Sequence, residues 1–199
     1  DLHSFPTRRS SDLVVGAPEG RRRFLNMELS QADAAYFYDL AIYTRLLSQR
    51  NALLKKLRER GGPSAELQPW DVQLAEKAVR VVEKRQKAVA KLSHLAGEIH
   101  HRLTKGEERL TIEYRRHGPE EVAEPLLSWY NKMLRETAAT DIRRGSTSVG
   151  PHLDDLMLKV NGAELRAYGS QGQQRTGVLS LKLAELEFLR QLPDRKSVV

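Results

Sequence analysis

The run Tyr168-Gly169-Ser170-Gln171-Gly172-Gln173-Gln174-Arg175 is the stretch of this chain best equipped for chemistry. It is polar, contains two glycines, and stands between a strand-like segment and a long helical pattern. Such a turn suits a phosphate group. Backbone N–H groups at a helix N-terminus have no acceptor within the helix and carry the positive end of its dipole, so they can meet an anionic oxygen directly. Ser170 adds a hydroxyl, and Gly172 permits close approach of the backbone. The same residues also describe a plain helix start with Ser170 as its N-cap, and residue type alone leaves both readings open.

Other candidates divide in the same way. Arg21, Arg22 and Arg23 could neutralise nucleic-acid phosphates, which would make affinity salt-dependent, or could form a solvated or salt-bridged charge run. Tyr36, Phe37, Tyr38 and Tyr43 could stack on bases, but their helical spacing favours packing in a core. His94, His100 and His101 lack the spacing of a structural zinc cluster. The sequence contains no G-x-x-x-x-G-K-[ST] phosphate loop, and no apolar strand precedes Asp154-Asp155 as a magnesium-binding acidic motif requires.

Long helices must position these residues. From Ser30 to Arg60 there is neither proline nor glycine, and Tyr36, Leu40, Tyr43, Leu47, Leu54 and Leu57 recur at spacings of three and four, with Arg50 on the seam. Gly61-Gly62-Pro63-Ser64 ends that helix. A second begins near Pro69, with Leu74, Ala78, Val81, Ala88, Leu92, Leu95 and Ile99 on its stripe and Arg85 on the seam. Two stripes and a short link predict an antiparallel helical hairpin, about 45 Å long for roughly thirty residues. Arg50 and Arg85 would then either set register or snorkel outward.

Beyond Thr104 the period changes. Leu110, Ile112 and Tyr114 alternate as in a half-buried strand. Glu120 to Thr137 is helical with a start or kink at Pro125. Asn161-Gly162 marks a hairpin between strands 155–160 and 163–168. The final helix runs from Ser170 to about Gln191, with Val178, Leu181, Leu183, Leu186 and Leu189 expected in its core. The fold class predicted is α+β: a long antiparallel helical hairpin joined to short strands and one further long helix.

A family resemblance adds to this reading. Ser170-Gln171-Gly172-Gln173-Gln174-Arg175, followed by Leu181-Lys182-Leu183-Ala184-Glu185, resembles the signature region of the RecF family, in the SMC-like branch of the ABC ATPases. In the expected order come Gly16-Ala17-Pro18 with Arg21-Arg22-Arg23-Phe24-Leu25, then Gln49-Arg50-Asn51-Ala52-Leu53-Leu54-Lys55, then Gly150-Pro151-His152 before Asp154-Asp155. Leu153 stands where the resemblance leads one to expect arginine. The likeness implies a partial ABC-type ATPase head carrying a coiled-coil arm, and two heads that dimerise around ATP and magnesium. It implies that Ser170 and Gly172 contact the γ-phosphate held by the other subunit. Gln171 and Gln173 would shape the loop and interface, and Arg175 would support the loop or touch nucleotide. The full-length protein would be a slow DNA-dependent ATPase acting at gapped or junction DNA, working with RecO and RecR and helping to load RecA. Lacking the phosphate loop, this chain alone is expected to be inactive and to hold no nucleotide tightly.

Both termini read as translated sequencing adapter. Residues 3–13 and 194–199 can be encoded by opposite strands of one oligonucleotide, so 1–13 and 194–199 are set aside and Val14 to Pro193 is expected to be the natural segment. The expected division is 14–28 as the end of an N-terminal ATPase lobe, 29–105 as the helical arm and 106–193 as a partial head bearing the signature. The formal net charge of +7 is compatible with a polyanionic partner such as DNA but does not identify one. The absence of cysteine suits a reducing cytoplasm, and no apolar run reaches the roughly 18 residues of a membrane span. The competing expectation is a non-enzymatic helical-hairpin module that binds nucleic acid or protein through a basic surface. A phosphate loop in the upstream gene sequence would decide between the two.

Overall fold

The computed structural model describes residues 16–119 and 123–191; the adapter-like segments 1–13 and 194–199 lie outside the described residues, as does Glu120, where the third helical pattern was expected to begin. The elements are α1 (Pro18–Ala32), α2 (Ala34–Arg60), a 3-10 turn (Ser64–Leu67), α3 (Gln68–Leu103), β1 (Leu110–Arg115), α4 (Leu126–Arg144), β2 (Asp155–Val160), β3 (Ala163–Glu164), α5 (Leu165–Tyr168) and α6 (Gln171–Arg190). The helix-rich chain with one small sheet bears out the α+β expectation. Two compact units divide the described residues, one within 33–84 and 116–154, the other within 16–32, 85–115 and 155–191.

In the first unit, the uninterrupted pattern from Ser30 becomes two helices because Asp33 caps the second. Its carboxylate accepts from the amides of Ala35 at 2.8 Å and Tyr36 at 3.1 Å, and its own backbone is extended. The chain of α2 runs antiparallel to the first half of α3. Ion pairs join Asp33 to Lys84, Asp39 to Lys77 and Arg50 to Asp71, so residue numbers rise on one helix as they fall on the other. The buried seam of α2 is Tyr36, Asp39, Tyr43, Leu46, Arg50, Leu54 and Leu57. Leu40 and Leu47, expected on the seam, are only half-buried. The physical reason is that α4 packs on the same helix, moving the covered face toward Leu46. Leu54, Leu57, Leu67 and Ala138 form an apolar cluster among α2, the 3-10 turn and α4.

Arg50 neither snorkels nor simply fills the seam. Its side chain is fully buried, with Nε donating to Asp71 at 2.6 Å and Nη1 to Asp141 at 2.8 Å and Thr147 at 2.9 Å. Asn51 accepts from the Thr147 amide at 2.8 Å, and His152 accepts at Nδ1 from the Tyr43 hydroxyl at 2.6 Å while Nε2 donates to the Thr147 carbonyl at 3.1 Å. Two motifs a hundred residues apart, Gln49–Lys55 and Gly150–His152, are thereby held together as one polar brace.

The second unit contains the sheet, in the order β1-β2-β3, with both pairings antiparallel. Leu110 pairs with Val160 and Arg115 with Asp155. Alternation buries Leu110 and Ile112 on β1 and Leu156, Leu158 and Val160 on β2. Asn161 and Gly162 have φ of 52° and 84°, as a tight two-residue hairpin turn requires. Beyond it, β3 lasts only two residues instead of continuing to Tyr168. Leu165 is buried and begins the short helix α5, so the apolar residue that suggested a strand anchors a helical turn. On α6 the core face is Gly177, Ser180, Leu181, Ala184 and Phe188. Leu183 and Leu186 are exposed rather than buried, because the small residues Gly177, Ser180 and Ala184 lie against the unit and turn those leucines away.

Candidate functional site

The polar run at the start of α6 folds into a capping box. Ser170 has an extended backbone, and its Oγ accepts from the Gln173 amide at 3.2 Å. Gln173 Oε1 returns the bond, accepting from the Ser170 amide at 2.9 Å. The first intrahelical bond runs from the Gln174 amide to the Ser170 carbonyl at 2.9 Å. The amides of Gln171 and Gly172 precede that bond and point out of the helix start. Ser170, Gln171, Gly172 and Arg175 are exposed, while Gln173 and Gln174 are half-buried. Since Ser170 Oγ accepts from Gln173, its own proton is left to donate outward.

The glycines of this run differ in what holds them. At Gly169 a Cβ would lie 2.5 Å from the Leu165 carbonyl oxygen, and at Gly177 one would lie 2.6 Å from Leu165 Cδ2, so packing of α5 against α6 accounts for both. At Gly172 a Cβ would lie 3.8 Å from Ser170 Oγ, an ordinary contact. Crowding inside the chain therefore does not explain glycine there.

The side chain of Gln173 faces inward. Its Nε2 donates to Glu108 Oε1 at 2.9 Å, and Glu108 Oε2 lies 3.0 Å from Nε2 of the fully buried His100. His100 Nδ1 is 3.0 Å from the Ser180 hydroxyl. Sequence reasoning missed this cluster, finding in His94, His100 and His101 only the lack of a zinc spacing. No spacing rule joins residues 100, 108, 173 and 180; the only available signal was a histidine on the last turn of an apolar stripe.

The arginine run separates into three environments. Arg21 is buried and forms a bidentate pair with Asp155, Nε to Oδ1 and Nη2 to Oδ2 both at 2.7 Å, while Nη1 donates to the Gly16 carbonyl at 2.7 Å. Arg22 is half-buried and Arg23 exposed. Asp154 is buried and accepts from the His117 amide at 2.7 Å, so the two adjacent aspartates serve different local anchors. On the inner face of α1, Glu28 is pushed up to about 8 by burial and by its hydrogen bond to and repulsion from Glu185, against the opposing charge of Lys182. Among the described residues no group of three His, Cys, Asp or Glu side chains is placed to hold a metal ion, and no helix is long and apolar enough to cross a membrane.

No protein-family model matches the chain. Among curated proteins, it is 44% identical over 190 residues to the DNA replication and repair protein RecF of Heliobacterium modesticaldum, covering 94% of this chain and 50% of that protein. It is 43% identical over 188 residues to the protein of the same description from Bacillus subtilis, covering 90% of this chain and 50% of the relative. Among solved structures, the recombination mediator protein RecF-ATP in the RecFOR pathway superposes with a TM-score of 0.85 at 35% identity, covering 92% of this chain and 49% of that one. A second, described as RecF-ATPrS in the same pathway, gives 0.83 at 34% identity, covering 92% and 50%. The chain spans about half the length of the curated relatives it matches, and over that span its sequence and fold place it in the RecF family.

Proposed function

We propose that this chain is the part of a RecF-type recombination mediator that presents the Ser170–Gly172 turn to ATP held by a second copy of the protein. The observation that carries this reading is an exposed, donor-rich helix start whose Gly172 answers to no crowding within the chain, in a fold shared with RecF-ATP. The Ser170 hydroxyl and the amides of Gln171 and Gly172 supply donors for an outermost phosphate oxygen. Gln173 shapes the turn from within, and the exposed Arg175 stands one turn further along for the nucleotide or the interface. Bound nucleotide supplies the negative charge that these donors stabilise, and loss of its γ-phosphate removes the reason for the two copies to remain together.

The finer reading is an ATP-gated dimer that binds single-stranded/double-stranded DNA junctions and, with RecO and RecR, helps load RecA at gaps in the cytoplasm. Arg22 and Arg23 would add salt-dependent phosphate contacts, whereas Arg21 holds α1 through Asp155. Among the described residues no group of three His, Cys, Asp or Glu side chains is placed to hold magnesium. With no phosphate loop in its sequence, the chain alone should turn over no ATP. The test is Ser170→Arg in the full-length protein, followed by sedimentation equilibrium with and without ATP. The bulky cation should abolish ATP-dependent dimerisation and leave the monomer's circular dichroism unchanged; an unaltered dimer would reject the assignment.

A further inference from the structure

The turn that meets nucleotide under the proposed function is not held by its own capping box alone. Gln173 has both ends of its amide engaged, Oε1 with the Ser170 amide and Nε2 with Glu108. Glu108 in turn sits in the loop between α3 and β1, where its amide donates to Thr104 Oγ1 at 3.3 Å and its second carboxylate oxygen faces His100. That loop turns through Lys105 and Gly106, with φ of 53° and 88°. His100 belongs to the last turn of α3 and has no exposed surface. A carboxylate can only accept, so His100 Nε2 carries a proton toward Glu108. The Ser180 hydroxyl then lies between two acceptors, His100 Nδ1 at 3.0 Å and the Thr176 carbonyl at 2.8 Å. Ser180 is on α6 itself, nearly three turns from the cap. The imidazole therefore links α6 at Ser180 with the carboxylate that grips the cap at Gln173.

We infer that Glu108 and His100 are positioning residues for the Ser170–Gly172 turn, setting its direction from the end of α3 through Gln173. The inference rests on the nucleotide-contact reading for its functional consequence, but its structural content stands apart. A turn used to meet a ligand on another molecule must be aimed without help from that ligand, and a half-buried Gln173 tied to a fixed carboxylate does this. His100 is fully buried and anchors the inner end of the Glu108 carboxylate, whose side chain keeps 21% of its surface exposed.

The geometry also says which substitution should be tolerated. In Glu108→Gln the side-chain oxygen still accepts from Gln173 Nε2, and the new amide donates toward His100 Nε2. The ring accommodates this by moving its proton to Nδ1, donating to Ser180 Oγ, whose hydroxyl turns to the Thr176 carbonyl. Glu108→Ala has no such solution. Hydrogen exchange on the 199-residue chain should show the Ser170 and Gln173 amides, the two that the capping box holds, exchanging about tenfold faster in Glu108→Ala and within about twofold of the parent in Glu108→Gln. If Glu108→Ala does not fold, Gln173→Glu keeps an acceptor for the Ser170 amide but can no longer donate to Glu108, and should show the same acceleration. Unchanged exchange in the folded variant would overturn the inference.

In a full-length RecF protein carrying this segment, Glu108→Ala should weaken ATP-dependent self-association about tenfold, and Glu108→Gln should restore it. Ser170→Arg separates the two ideas. If it abolishes the dimer while Glu108→Ala does not weaken it, the brace is wrong and the nucleotide reading survives. If Ser170→Arg leaves the dimer intact, the nucleotide reading has failed, and the exchange data alone decide the brace.

Discussion

Replacing Arg50 by methionine removes the charge at the centre of the helical unit while keeping most of the side chain's length. The structure sets the scale of the loss. Arg50 is 0% exposed, and its guanidinium serves Asp71, Asp141 and Thr147 at 2.6, 2.8 and 2.9 Å. Asp141 is itself 0% exposed and would keep only the Ser148 amide and hydroxyl and a long contact to Thr137. Removing one partner from a buried ion pair costs about 3–5 kcal/mol, because the remaining charge is left in a poor solvent. Methionine limits the added cavity cost. For a domain of ordinary stability, about 5–15 kcal/mol, that is a large fraction of the whole.

The measurement is urea unfolding of the chain, at neutral pH and near pH 4. Burial raises the Asp71 carboxyl above its ordinary value, Arg50 pulls it down, and Asp141 pushes it up. Without Arg50 the upward shift grows. A carboxyl with a folded pKa above its unfolded value binds more protons when folded, so its stability contribution is present below the unfolded value and is lost as pH rises through the folded one. The deficit of Arg50→Met should therefore be larger at neutral pH than near pH 4. Adding Asp141→Asn to Arg50→Met should cost much less than Asp141→Asn alone. A loss below about 1 kcal/mol, equal at both pH values, would refute the reasoning.

Two further outcomes follow from other sites. Glu28 is pushed up to about 8 from 4.5, so its contribution is complete below 4.5 and declines as pH rises toward 8. At about 1.4 kcal/mol per unit, the decline amounts to a few kcal/mol, and Glu28→Gln should flatten it and give the more stable protein at pH 8 by calorimetry. At Gly150, φ is 136° and an added Cβ would overlap the Tyr43 hydroxyl, which already donates to His152. Gly150→Ala should cost about 2 kcal/mol or more in urea unfolding, and a cost near zero would show that the 147–152 loop moves freely away from α2.

Periodicity made the long helices, the first strands and the Asn161-Gly162 turn legible, because each depends on contacts within a few residues. Glycine placed the end of α2 and proline the starts of α3 and α4, but α4 runs on to Arg144, past the expected end at Thr137. The start of α2 was hidden because Asp33 breaks no pattern until its carboxylate turns back to cap the next helix. The exposed Leu183 and Leu186 misled for a related reason: apolar character does not say which face of a helix its neighbours cover, and here Gly177, Ser180 and Ala184 take the inner face.

By itself, the sequence determined the donor-rich helix start at Ser170, since a serine, a following glycine and a glutamine at the third position specify a capping box locally. Only the tertiary structure decided what surrounds it. Gln173 could have faced solvent, His100 could have been exposed, and Arg21 could have joined Arg23 at the surface. Long-range packing instead joined Gln173 to Glu108, buried His100 against Ser180, and matched Arg21 to Asp155 across 134 positions of chain. Those pairings arise because a polar group taken out of water must find a partner in space, and sequence separation places no limit on where that partner comes from.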